Sequence, residues 1–126
     1  MVDTLSIKTP GVGEKVGLLS GGNQQKVVIG KGLYTDADLY IFEEPTVGVD
    51  VGAKSGIYYL MRELSQEKAV IVVSSDIEEV FGVSDRILVM FKGQVVLDRP
   101  TDQTQLNEVL VYGLTGGANV KASEAI

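Results

Sequence analysis

The run Leu39-Tyr40-Ile41-Phe42, followed at once by Glu43-Glu44-Pro45, constrains this chain more than any other stretch. Four apolar residues between Asp38 and a pair of carboxylates are too few for a helix. They suit a strand buried on both faces, as in a parallel sheet. Parallel strands need a crossover, usually helical, and the flanking sequence supplies candidates. Upstream, Val27, Val28, Ile29 and Leu33 recur at helical spacing behind Ser20, a residue suited to capping, which predicts a helix over about 22–34. Downstream, Asp50 can cap a helix over about 51–65 whose apolar face carries Ile57, Leu60, Met61 and Leu64.

The same alternation continues. Ala69 to Val73 is rich in β-branched residues and reads as a second buried strand. Asp76 with Glu79 three residues later opens a short helix, about Ile77 to Phe81. Ile87 to Phe91 and Gln94 to Leu97 flank the turn pair Lys92-Gly93 and read as a hairpin, with a last helix from Gln103 to Tyr112. The order implies an α/β fold: a mostly parallel sheet flanked by helices with right-handed crossovers, then a C-terminal β-hairpin and helix. Residues 1–18, with Pro10, Gly11, Gly13 and Gly17, read as an irregular lead-in, 19–114 as the folded body, and 115–126 as a flexible tail.

Composition removes several kinds of chemistry. There is no cysteine and no histidine, so thiolate zinc sites, disulfides, Ser-His-Asp triads and imidazole bases are excluded. A net charge of −6 argues against a nucleic-acid binder and a polybasic membrane anchor. The start of the chain lacks the basic and apolar regions of a signal peptide, and no apolar run approaches the roughly 20 residues that span a bilayer. A cytoplasmic protein is expected.

Three stretches could carry chemistry. Leu19-Ser20-Gly21-Gly22 places a serine and two glycines at a helix start, where backbone N–H groups meet the positive end of the helix dipole. Glu43 and Glu44 end a buried strand, the edge at which open α/β sheets bind ligands. One such carboxylate can support a magnesium ion through its waters, and its neighbour can polarise an attacking water. Ser74-Ser75-Asp76 puts hydroxyls at a second strand end. Taken singly, the first and third are better explained as an ordinary capped helix and a helix cap, and the second is as readily an acidic loop start.

Taken together, and in this order, they resemble ATP-binding cassette ATPases. Leu19 to Lys26 (LSGGNQQK) resembles the signature motif in its sugar-importer form, of ribose, galactose and xylose type. Leu39 to Thr46 resembles the Walker B strand with its catalytic carboxylate, Val47-Gly48-Val49-Asp50 the D-loop, Ser74 to Asp76 the switch-histidine region, and Arg86 to Gly93 the strand and turn that follow. The resemblance covers about residues 9–98. It implies that two cassettes close around two ATP molecules with magnesium. Ser20, Gly21 and Gly22 would then contact the γ-phosphate held by the opposite cassette, flanked by Asn23 and Gln24. Glu44 would be the general base, Glu43 the magnesium-supporting residue, and Asp50 the link between the two sites. The implied partners are a second nucleotide-binding domain, a membrane permease and, indirectly, a sugar-binding protein, with the chain peripheral on the inner face of the membrane.

Departures from the pattern set further expectations. Glu43 stands where the family has aspartate, which moves the carboxylate by about 1.5 Å. Ser75 stands where the family has histidine and cannot supply a cationic partner to phosphate. This resembles the second cassette of two-cassette sugar importers. The phosphate loop G-x-x-x-x-G-K-[ST] is absent: the sole Gly-Lys pair, Gly30-Lys31, has Gln25 five places before Gly30 and Gly32 after Lys31. The chain therefore matches the C-terminal half of a cassette, without the phosphate-loop strand, and is expected to be inactive alone. A non-transport ATPase of the same superfamily and a module with a purely binding or regulatory role are the alternatives. With a central strand missing, the strands at 69–73 and 87–91 should either pair directly or have their edges covered by a second copy, so self-association is expected.

Overall fold

The computed structural model describes residues 5–118. They divide into two compact units that part between Val73 and Ser74.

In the first unit, β1 (Leu39–Glu43) and β2 (Ala69–Val73) pair in parallel, with Ile41 opposite Ile71 and Glu43 opposite Val73. The ladder continues one residue past β1, where Glu44 N–H donates to Val73 O at 2.7 Å. α2 (Val51–Leu64) is the crossover between the strands and packs against β2. Ile57 and Met61, four apart on its inner face, are buried. Its start follows the sequence: Asp50 Oδ1 accepts from Ala53 N–H at 3.0 Å, satisfying one of the first-turn donors. Lys68 Nζ meets Asp36 Oδ1 at 3.0 Å, tying the turn before β1 to the turn before β2. That hydrogen bond holds the Lys68 ammonium above its ordinary pKa.

α1 (Gly21–Leu33) packs on α2. Ahead of it, residues 5–15 form no helix or strand and a single 3-10 turn spans Val16–Leu18. The lead-in is nevertheless partly folded in: Leu5 and Ile7 are buried, and Lys26 Nζ donates to Ser6 O at 3.3 Å.

The second unit is a hairpin covered by helices. β3 (Arg86–Phe91) and β4 (Gln94–Pro100) pair antiparallel around Lys92-Gly93, whose φ angles of +48° and +79° suit a two-residue hairpin turn. Ile87, Val89 and Leu97 form a core with Val109 of α4 (Leu106–Thr115), against which Ile77, Val80 and Phe81 of α3 (Ile77–Val83) also pack. Arg86 clamps Asp98 through two 2.6 Å hydrogen bonds.

Several boundaries differ from the sequence reading. β4 runs three residues beyond Leu97, because Arg86 opposite Pro100 extends the ladder and Thr101 N–H continues it to Asp85 O. The last helix starts at Leu106 instead of Gln103: residues 101–103 form a 3-10 turn, and Gln105 and Glu108 make a reciprocal capping box. It continues to Thr115 and ends on Gly116 in the left-handed conformation, so the expected flexible tail begins inside ordered helix, and residues 119–126 lie outside the described residues. The α/β class and the terminal hairpin and helix are present, but the ladders form two separate two-stranded sheets, β1–β2 and β3–β4. Among the described residues, parallel pairing is confined to β1–β2.

Candidate functional site

Ser20 precedes α1 with extended φ and ψ of −60° and 153°, and Gln24 N–H donates to its carbonyl at 2.9 Å. Its backbone is that of a cap. Its hydroxyl is not: among the described residues Ser20 makes no side-chain cap hydrogen bond. Asn23, one turn along, takes that oxygen instead, with Nδ2 donating to Ser20 Oγ at 2.8 Å. Asn23 Oδ1 accepts Lys8 N–H at 2.9 Å. Gln24 Nε2 donates to Leu19 O at 2.8 Å, bracing the same turn from the other side. The hydroxyl expected as a cap is thus directed by Asn23, and the first-turn N–H groups keep the character of an anion-binding helix end.

The two glycines serve a second purpose. A Cβ on Gly21 would lie 3.1 Å from Gly48 O, and one on Gly22 would lie 2.8 Å from Ala53 Cβ and 3.5 Å from Asp50 Oδ2. The helix start therefore sits directly on residues 48–53. Ser20, Gly21, Gly22, Asn23, Gln24 and Asp50, separated by up to thirty positions in sequence, meet in one place. Gly48 itself has φ +73°, a conformation that lets the backbone turn between Val47 and Val49.

Glu43 and Glu44 leave β1 in different ways. Glu43 is exposed, on the sheet face that also carries Leu39 and Ile41. Glu44 is half-buried with φ +46°, a left-handed conformation uncommon for a residue with a side chain. Pro45, fully buried, and Thr46, 4% exposed, anchor the turn behind it, with Val47 N–H reaching Glu44 O at 3.3 Å. No local sequence pattern marks this backbone conformation. Its signal was at most the Glu-Pro step, which limits what the residue before proline can adopt.

Among the described residues no group of three acidic, histidine or cysteine side chains could hold a metal ion. A single carboxylate such as Glu43 could meet a magnesium ion only as one ligand among waters, not as part of an all-protein cage.

Ser75 belongs to the second unit and is exposed in the turn between β2 and α3. That turn is fixed from below. Glu79, 5% exposed, accepts the Ser74 hydroxyl; Ser74 Oγ accepts Asp76 N–H at 3.1 Å; and Asp76 Oδ1 accepts Glu79 N–H at 3.1 Å. Glu79 was read from the sequence as part of a helix start, and its grip on Ser74 was missed.

No protein-family model matches the chain. Over 111 residues, 87% of its length, the sequence is 50% identical to the galactose/methyl galactoside import ATP-binding protein MglA of Yersinia pestis (strain Antiqua). It is 47% identical over the same length to the MglA of Escherichia coli (strain K12). In each case the chain spans 22% of the relative, about a fifth of its length. The fold overlays MJ1267, an ATP-binding cassette of an ABC transporter, with a TM-score of 0.74 at 24% identity, covering 91% of this chain and 46% of that one. It also overlays MJ0796, a bacterial ABC transporter cassette solved as a dimer, with a TM-score of 0.69 at 26% identity, covering 79% of this chain and 44% of that one. No helix among the described residues is long and apolar enough to cross a membrane.

Proposed function

We propose that this chain, a homologue of sugar-importer ATP-binding proteins over 87% of its own length, supplies the C-terminal half of an ATP-hydrolysing cassette. In this reading the start of α1 meets the γ-phosphate of an ATP held mainly by an opposing cassette. Ser20, Gly21 and Gly22 make the contact, and Asn23 and Gln24 brace it. Glu44 orients the attacking water, and Glu43 supports magnesium through that ion's own waters. Asp50, at the start of α2 and beside Gly22, joins the phosphate contact to the loop after Glu44. Ser75, in the switch position, offers a hydroxyl without a positive charge, so the site it serves turns over slowly. The further partners in this reading are a membrane permease and a sugar-binding protein, at the cytoplasmic face of the membrane.

One observation carries the proposal. The glycine-lined start of α1 and the loop from Glu44 to Asp50 meet in a single unit, although the sequence places them far apart. A helix start built only for capping would use the Ser20 hydroxyl on its own first-turn N–H groups, and this one does not.

A chain with half a cassette and no phosphate loop lacks most of the contacts that hold a nucleotide. Calorimetry with Mg-ATP on the isolated chain is the test. Absence of micromolar binding and of turnover is expected. Micromolar binding to one site per chain would put a complete nucleotide site within these 126 residues and overturn the reading.

A further inference from the structure

We infer that Asn23 is a positioning residue that forces the Ser20 hydroxyl to act as a donor toward the phosphate, and that the buried lead-in segment is what holds Asn23 in that role. The inference rests on the phosphate-binding reading of α1 given above.

The chemistry follows from which atoms can donate. Lys8 N–H is a backbone amide and can only donate, so the Asn23 atom that receives it at 2.9 Å must be the carbonyl oxygen Oδ1. This fixes the orientation of the amide. Its Nδ2 is then the atom 2.8 Å from Ser20 Oγ, and Nδ2 can only donate. Ser20 Oγ must accept there. A hydroxyl that spends a lone pair on Asn23 keeps its own proton for another partner, and among the described residues Ser20 makes no side-chain cap hydrogen bond. Ser20 is exposed at the helix start. An anion arriving there meets an O–H already turned outward, beside first-turn N–H groups, with no reorientation required.

The relay reaches back into the lead-in. Leu5 and Ile7 are each 7% exposed, which anchors the stretch around Lys8, and Lys26 Nζ on α1 donates to Ser6 O at 3.3 Å. A segment with no regular secondary structure thus orients an amide fifteen residues away, and through it the polarity of the Ser20 hydroxyl.

The test uses the full chain and sodium tripolyphosphate as the probe, with binding followed through the backbone amide resonances of residues 20–24. The unsubstituted chain should bind weakly, at about millimolar, with the shifts centred on Gly21 and Gly22. Asn23→Asp keeps an acceptor for Lys8 N–H but offers Ser20 a second acceptor, which draws the hydroxyl proton inward. The added charge also repels the probe, so the reading is taken from a cycle with Ser20→Ala. If Asn23 acts through the Ser20 hydroxyl, Asn23→Asp lowers affinity at least roughly threefold more in the presence of Ser20 than in the Ser20→Ala background. Equal losses in the two backgrounds overturn the positioning role while leaving phosphate binding intact. No shifts at residues 20–24 in the unsubstituted chain overturn the phosphate reading of α1 itself. Should Asn23→Asp unfold the chain in a thermal melt, Asn23→Ala in the same cycle reads the same coupling with the same two outcomes.

Discussion

Gly22 lies against Ala53 so closely that a Cβ on the glycine would sit 2.8 Å from the Ala53 Cβ. Two carbons do not approach to that distance, so α1 and the first turn of α2 touch only because Gly22 has no side chain. Gly22→Ala should destabilise the chain by about 1–3 kcal/mol through overpacking. Ala53→Gly alone should cost about 1 kcal/mol of helix propensity, yet in the Gly22→Ala background it should restore stability. Urea unfolding of the two single variants and the double variant measures the sign reversal. Additive losses would mean that the two residues are not in close contact.

Glu44 occupies left-handed backbone, φ +46°, at the position proposed for the general base. Such a conformation costs a side-chain-bearing residue about 1–3 kcal/mol. Asparagine tolerates it better. Glu44→Asn should therefore raise the unfolding free energy of the isolated chain by about 1 kcal/mol. In an intact ATPase carrying this segment, Glu44→Gln should slow hydrolysis at the one site it serves by about 10²- to 10⁴-fold. Single-turnover kinetics at that site is the measurement, since total turnover mixes in the second site. A Glu44→Asn chain that melts earlier than the parent would show that the glutamate side chain contributes more than its backbone strain costs.

The strand Leu39–Glu43 and the helix begun by Asp50 were legible because local periodicity and a capping side chain determine them. The proximity of Gly22 to Asp50 was not, because nothing local links positions 28 apart. Ser20 is the cap residue that the sequence indicates, but its hydroxyl does not make the cap hydrogen bond, for a related reason. Serine before a helix caps it by default, and here a backbone N–H from Lys8, brought in by the burial of Leu5 and Ile7, turns the Asn23 amide so that it takes the serine oxygen. The start of α4 was misplaced because Gln105 and Glu108 make a capping box from glutamine, a weaker signal than serine or aspartate.

Glu79 is a carboxylate only 5% exposed, and the Ser74 hydroxyl is one of its donors. Ser74→Ala removes that donor and also the acceptor for Asp76 N–H. The expected cost is about 1–3 kcal/mol, the range for leaving a buried polar group short of a partner. The amide of Ser75 should also exchange its proton faster. Hydrogen exchange read by mass spectrometry on residues 74–80 checks both, and unchanged exchange there would show that the Ser75 turn is held by other contacts.

The hairpin carries a pH dependence of known sign. The hydrogen bonds from Arg86 lower the Asp98 pKa below its ordinary value, and Asp98 raises that of Arg86. A carboxylate depressed in the folded state contributes stability above its unfolded pKa, near 3.9, and loses it as pH falls through the lower folded value. Asp98→Asn should thus melt earlier than the parent near pH 7, and the two melting curves should converge as pH falls below about 4. Added salt should narrow the neutral-pH difference, because both groups are solvent-accessible. A gap that persists at low pH would assign the effect to packing and not to charge.

Ile41 and Ile71 face each other across the β1–β2 ladder and are 63% and 47% exposed. With Leu39 and Val73 on the same face, they present an apolar surface on a two-stranded sheet. Such a sheet is marginal alone, and a contiguous apolar face of this kind favours association. The opposite face differs: Tyr40 and Phe42 stack there with ring centroids 6.5 Å apart, beside half-buried Val70 and Val72. The isolated chain is therefore expected to self-associate through the Ile41 and Ile71 face. Lysine is the suitable probe, because it keeps a long apolar stem on the sheet while placing a charge where a second copy would have to desolvate it. Ile41→Lys with Ile71→Lys should shift sedimentation toward the monomer and leave the far-ultraviolet spectrum unchanged, since both side chains are largely exposed. A parent chain that sediments as a monomer at high concentration would refute self-association. A double variant that still associates would move the contact to another surface.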